Sequence, residues 1–270
     1  MNDAPFELFP PSADRSAAVE TKIGFGNWCT HGSRTMMFDE LAAILTDLTA
    51  AAEPTAFAEA VIDSNRLAKQ TTATRRSTLR HLRELYALDT LVPLYRVFRR
   101  LWDIDPKGRQ LLALLLALAR DPLLAATAPV VVSLPEGAEY QRKAMRTALL
   151  AIFPDRMNES TIDKVARNTA SSWAQSGHLE GRTFKLRRRV SPTPVAVAYA
   201  LYIAHSAGFS IQESLSSGWL RVLDCEPASA IENATLAKRL GLIDFRMAGN
   251  VIDVQLERLD PLSLFNQQMR

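Results

Sequence analysis

The stretch Gly108 to Ala119, GRQLLALLLALA, constrains the fold more than any other. From Leu111 onward it is apolar on every side, so as a helix it has no face to give to water and must lie at the centre of a bundle. A second run, Val195 to Ala204, is similar in character. Both are far shorter than the roughly 20 residues that span a bilayer, so they read as buried core helices and no membrane is expected as a partner. A chain of 270 residues with 47% hydrophobic content is enough to bury one large core or two smaller ones. Alanine, leucine and arginine are abundant and there are only 11 glycines, which favours helix over sheet.

Around these two runs the apolar periodicity predicts further helices. They fall at Thr35 to Ala51, Pro54 to about Asp63, Thr72 to about Leu88, Val92 to Trp102 and Glu139 to Phe153. Others follow at Ser160 to about Gln175, Val195 to Ala207, Ser210 to Leu223 and Pro227 to Leu240. Residues 1–20, rich in Pro, Ser and Asp, read as a flexible tail without the basic start and apolar run of a signal peptide. Thr21 to Arg34 reads as an irregular loop that docks Phe25 and Trp28 into the core, with His31 an ordinary loop residue. Pro122 to Pro135 holds a β-prone trio, Val130 to Val132, bracketed by Pro129 and Pro135. It reads as a connector, or a short helix and an extended piece, and as the domain boundary. The expected class is therefore all-α: two packed helical subdomains, 21–128 and 136–270, with helix-turn-helix or winged-helix-like elements. The only strands expected are short β-hairpin wings.

The clearest such element is STIDKVARNTASSWAQSGHLEGRTFKLRRRV, Ser160 to Val190. Ile162, Val165, Ala166, Thr169, Ala170 and Trp173 share one helix face. Thr161, Lys164, Arg167, Asn168, Ser171 and Gln175 take the opposite face, with side chains that suit DNA phosphates and base edges. Gly177 can close the helix in a left-handed cap. A basic wing follows, carrying Arg182, Lys185, Arg187, Arg188 and Arg189. With the helix at Glu139 to Phe153 before it, the order is helix, turn, helix, wing. A second candidate reader is SNRLAKQTTATRRSTLRHLREL, a polar turn and a helix with Leu79, Leu82, Leu85 and Tyr86 inward. Its Thr74, Arg75, Arg76, Thr78, Arg80 and Arg83 are left largely outside. A third copy of the order, Pro227 to Leu256, ends in a hairpin around Ala248 to Asn250 but is less basic, and is expected to support structure or bind protein.

The charge follows the same map. The net +3 is small and the sequence pI about 9.0, but basic residues outnumber acidic ones from Arg66 to Arg109 and again from Arg142 to Arg189. Clustered arginine points to a polyanionic partner. Its plain alternative is a solvated surface in an arginine-rich chain.

Nothing specific to catalysis stands out. The chain lacks GxxxxGK[ST], HExxH and GxSxG. Cys29 and Cys225 are far apart and do not form a disulfide or zinc pattern. His81, His178 and His205 read as structural, and Asp103-Ile104-Asp105 as turn acids rather than metal ligands. No enzyme activity and no cofactor are expected.

Three stretches together give a family resemblance: SNRLAKQTTATRRSTLRHLREL, the apolar helix followed by RDPLL, and STIDKVARNTASSWAQSGHLEGRTFKLRRRVSPTP. Over about Ile23 to Ala207 the chain resembles the BrxA family of BREX bacteriophage-exclusion systems. The segments before and after are longer than that pattern. The resemblance implies a cytoplasmic, non-catalytic protein that binds double-stranded DNA. It would work beside a methyltransferase, a phosphatase-like protein and an ATPase. The family's likeness to the NusB fold keeps RNA binding open, and an adaptor role toward protein partners is the other alternative. Carried over, the DNA-facing candidates are Arg75, Arg76 and Arg80 in the first element. In the second they are Lys164, Arg167, Asn168, Arg187, Arg188 and Arg189.

Overall fold

A computed structural model describes residues 8–9, 30–154, 157–249 and 251–262. Helix dominates them, and strand is confined to two small antiparallel hairpins. After a 3-10 turn at Thr30–Gly32 come α1 (Phe38–Asp47) and α2 (Pro54–Ala58), which runs on into a π-helical turn at Glu59–Asp63. Then follow α3 (Thr72–Tyr86), α4 (Pro93–Ile104), α5 (Arg109–Arg120), α6 (Pro122–Val132), α7 (Arg142–Ile152) and α8 (Glu159–Gln175). The first hairpin is β1 (Leu179–Glu180) with β2 (Leu186–Arg187). Beyond it lie α9 (Pro194–Ser206), the short α10 (Ile211–Ser214) and α11 (Gly218–Arg221), and α12 (Pro227–Arg239). The last hairpin is β3 (Asp244–Ala248) with β4 (Val251–Gln255). None of the described helices is long and apolar enough to cross a membrane.

The all-α class holds, with its two short hairpins, and so does the centre. Leu112 to Ala119 of α5 and Ala196 to Ala200 of α9 are shielded from solvent. Helix α9 packs against α4, α5, α11 and α12, so one apolar core runs through the described elements. Several helices start where local chemistry dictates. Pro54, Pro93, Pro122, Pro194 and Pro227 occupy first turns, where the missing N–H is no loss. Thr71, Asp121, Asn158 and Thr193 cap with their side chains.

The structure corrects four local expectations. Pro122 to Val132 is one helix, not a connector or an extended piece, and Pro129 lies inside it. The valines that favour a strand by propensity are overridden because the helix buries Leu123, Leu124, Ala128 and Val131 in the core. Ser210 to Leu223 is two short helices rather than one. Ser216, Ser217 and Gly218 are poor helix formers, and the carbonyl of Leu8 passes where a Cβ at Gly218 would sit, at 1.8 Å. Leu8 and Phe9, read as part of a loose tail, are buried, and the Phe9 ring lies 4.5 Å from that of Trp219. His31 is no ordinary loop residue but wholly buried. Phe25, Trp28 and Cys29 lie outside the described residues. Cys225 is a buried free thiol whose pKa burial pushes up to about 11.

Candidate nucleic-acid interface

Helices α6, α7 and α8 pack on one another in pairs, and the β1–β2 hairpin follows directly. Strand β2 has a backbone partner on each side. On one side Leu179 faces Arg187 and Glu180 faces Leu186. On the other, Leu186 bridges to Glu139, just before α7. Helix, an isolated bridge, two helices and a hairpin follow one another in the order of a winged-helix-like element, with α8 the second of the helix pair. Its internal joint is ionic: Arg146 of α7 pairs with both Glu159 and Asp163 of α8.

Helix α8 ends through Gly177, at φ +86°. The His178 N–H donates to the Trp173 carbonyl at 2.9 Å and the Gly177 N–H to that of Ala174 at 3.1 Å. This is the Schellman arrangement, which needs a left-handed residue where glycine carries no penalty. The closure aims the His178 ring into the core. Its Nε2–H donates to the Val222 carbonyl at 2.7 Å, and Nδ1 lies 2.8 Å from the Ser176 hydroxyl. Burial, with the Arg187 charge nearby, lowers its pKa to about 4. An unfolded chain holds its histidines near 6.5. Between those values the unfolded state binds more protons, so stability falls as pH drops through this window. Denaturant midpoints between pH 7 and 4 are expected to fall with a slope that His178→Gln reduces. A slope unaltered by that change would discount the buried neutral histidine.

The nine sequence-derived contacts divide. Lys164 and Arg167 are exposed on α8, and Arg188 and Arg189 on the wing and its exit. Arg188 lies 2.5 Å from the Glu180 carboxylate, which offsets part of its charge. Arg76 and Arg80 are exposed on α3, Arg80 within 3.7 Å of Glu84. The other three are committed to the protein itself. Arg75 folds back, donating from Nη1 to the Ile62 carbonyl at 3.0 Å and from Nε to that of Lys69 at 3.3 Å. Asn168 donates to the His31 carbonyl at 2.8 Å. Arg187 is not on the wing's surface at all: at 1% exposure it pairs with Asp224, while its Nε donates to the Val131 carbonyl at 2.9 Å. On a two-sided strand the side chains of neighbours point to opposite faces, so the RRR run could not present all three arginines to one partner. Gln175 likewise turns to Thr35 and Phe38, and Thr78 is buried. The Asp103 and Asp105 pair also serves structure. Asp103 lies 2.7 Å from Arg99, and Asp105 takes the Gly108 N–H at 3.0 Å and the Thr193 hydroxyl. Among the described residues no cluster of His, Cys, Asp or Glu is arranged to hold a metal.

The turn at Thr30–Gly32 joins the two basic elements. The Thr30 hydroxyl donates to Glu84 of α3 at 2.9 Å. His31 reaches α8 through the Asn168 contact and through Nε2, 2.8 Å from the Ser172 hydroxyl. Its Nδ1 lies 2.7 Å from Asp121, which also takes the His31 backbone N–H at 2.9 Å and caps α6 at Leu123 at 2.9 Å. Serine, histidine and aspartate in this order match a nucleophile, base and orienter. Here, though, neither Ser172 nor His31 touches solvent. The Ser172 oxygen accepts the Met36 N–H at 2.8 Å and lies 2.9 Å from the Asn168 carbonyl. The hydroxyl is filled by the fold's own partners, and the trio is a latch that ties the Thr30–Gly32 turn to α6 and α8. The sequence marks Asp121-Pro122 only as the end of the apolar helix; the histidine that completes the latch, 90 residues away, carries no local signal.

No family model, no curated protein and no solved structure matches the chain.

Proposed function

We propose that the protein is a non-catalytic, cytoplasmic component of a bacterial anti-phage defence system of the BREX type, and that it binds double-stranded DNA. The observation that carries the reading is the winged-helix connectivity of Pro122 to Val190, with Lys164 and Arg167 exposed on the recognition helix and Arg189 exposed beside the wing. Such a unit lays α8 toward the major groove and the wing along the backbone. Arg76 and Arg80 extend the basic surface onto α3. The resemblance to the BrxA family supplies the setting: a methyltransferase, a phosphatase-like protein and an ATPase as co-workers.

Contacts of this kind are mostly to phosphate, so affinity falls steeply with salt. Gel shifts on a duplex of arbitrary sequence at rising salt test this. The Lys164→Ala/Arg167→Ala pair is expected to weaken binding on all duplexes alike. It should also flatten the logarithmic salt slope by about 2, near 0.9 per lost phosphate contact. Binding by the parent that ignores salt, or prefers structured RNA in competition, defeats the duplex reading. Capture of a defence protein from nuclease-treated extract without any duplex affinity favours the adaptor role instead.

A further inference from the structure

Beside α3 lies a cavity of about 550 Å3. Its wall carries four guanidiniums, Arg76, Arg80, Arg83 and Arg120, and one carboxylate, Glu84; Ile62 and Leu79 supply apolar floor. Arg76, Arg80 and Arg83 stand at i, i+4 and i+7 on one helix face. Arg120 approaches from the end of α5.

Two of the four are fixed in place by backbone. Arg83 donates to the Pro54 carbonyl at 2.7 Å. Arg120 donates from Nε to the Glu84 carbonyl at 3.0 Å and from Nη2 to that of Arg83 at 3.4 Å. Arg120 is only 7% exposed, and burial holds its pKa below the ordinary guanidinium value. The other two are exposed at the mouth. A positive wall with its deeper members preset and its outer members movable is suited to an anion. Guanidinium forks match phosphate oxygens in pairs, and the apolar floor limits screening. The volume falls in the range of small-molecule sites.

We propose that this cavity binds a phosphate compound of two or more negative charges, either the terminal phosphate of a nucleic acid strand or a free polyphosphate. It shares Arg76 and Arg80 with the duplex surface proposed above but does not depend on it, since a free polyphosphate would fill it with no duplex present.

Calorimetric titration of the full chain tests this with two probes: sodium tripolyphosphate, and one single-stranded oligonucleotide with and without a 5′-phosphate. At least one probe is expected to bind saturably at one site per chain. Arg76→Gln/Arg80→Gln, both exposed and compatible with folding, should weaken that binding by roughly tenfold or more through loss of two charge-assisted contacts. Arg83→Gln should weaken it too, whereas Lys238→Gln/Arg239→Gln, exposed on α12 and part of neither basic surface, should leave it unchanged. Tripolyphosphate binding identifies a free ligand; binding that requires the 5′-phosphate identifies a strand end. The proposal is overturned if neither probe saturates, if the Arg76/Arg80 pair binds like the parent, or if the Lys238/Arg239 pair weakens binding equally. Failure of the duplex reading shows separately, in the salt-dependent gel shift.

Discussion

Asp224→Ala is expected to destabilise the protein by about 3–5 kcal/mol, the range for breaking a buried ion pair from one side. The substitution leaves the Arg187 guanidinium at 1% exposure without its carboxylate, and frees the Val190 N–H that Asp224 accepts at 2.8 Å. Asp224 also holds a left-handed backbone, φ +52°, where alanine is strained. Asp224→Asn keeps that backbone within reach and can still accept from Val190, so it isolates the charge. The decisive comparison adds Arg187→Met to Asp224→Asn. With both charges gone, stability is expected to recover part of the loss, because the solvation penalty of the guanidinium goes too. Denaturant midpoints followed by circular dichroism measure the set. A double variant weaker than either single change would mean that Arg187 contributes chiefly through its bonds to the Val131 and Arg188 carbonyls. For the same reason the DNA contact proposed for the wing is tested on Arg188 and Arg189 alone: substituting the whole RRR run would also remove the buried Arg187–Asp224 pair.

The way Arg187 misleads a reader of the sequence shows where such reading stops. Elements were legible because their signals are local. The all-apolar run at Leu111 predicts a central helix, Gly177 a helix end, and Leu242 to Leu256 a hairpin, and each is where periodicity and backbone preference put it. The failures came where long-range packing outweighs local preference. Val130 to Val132 stay helical because α6 needs Val131 in the core. The candidate site was half legible for the same reason. Residue type and helix face place Lys164, Arg167, Arg76 and Arg80 outside. Whether an arginine at the margin stays there depends on a carbonyl or carboxylate from elsewhere. Arg75 finds Ile62, Asn168 finds His31, and Arg187 finds an aspartate 37 residues on. Arg120 was hidden in the opposite sense: at the end of an apolar helix it reads as a simple terminus, yet it forms a wall of the cationic cavity.

His31→Ala is expected to cost about 3 kcal/mol and, beyond that, to uncouple α8 from α3. The buried ring satisfies Asp121 and Ser172 at once, at 2.7 and 2.8 Å. Removing it leaves two shielded polar groups short of a partner, each worth roughly 1–3 kcal/mol, beside the space the ring vacates. Asp121→Ala should fall in the same range, losing the α6 cap as well. Since both changes break one contact, the double variant should lose clearly less than the sum, by about 1–3 kcal/mol. Hydrogen exchange distinguishes a latch from ordinary core packing. In the His31→Ala variant the amides of α8 near Asn168 and Ser172 should open at lower free energy than those of α5, whose packing the change does not touch. Uniform loss of protection across both helices would reduce His31 to one more core residue. Selective opening would instead make the Thr30–Gly32 turn the joint that holds α3 and α8 in a common orientation.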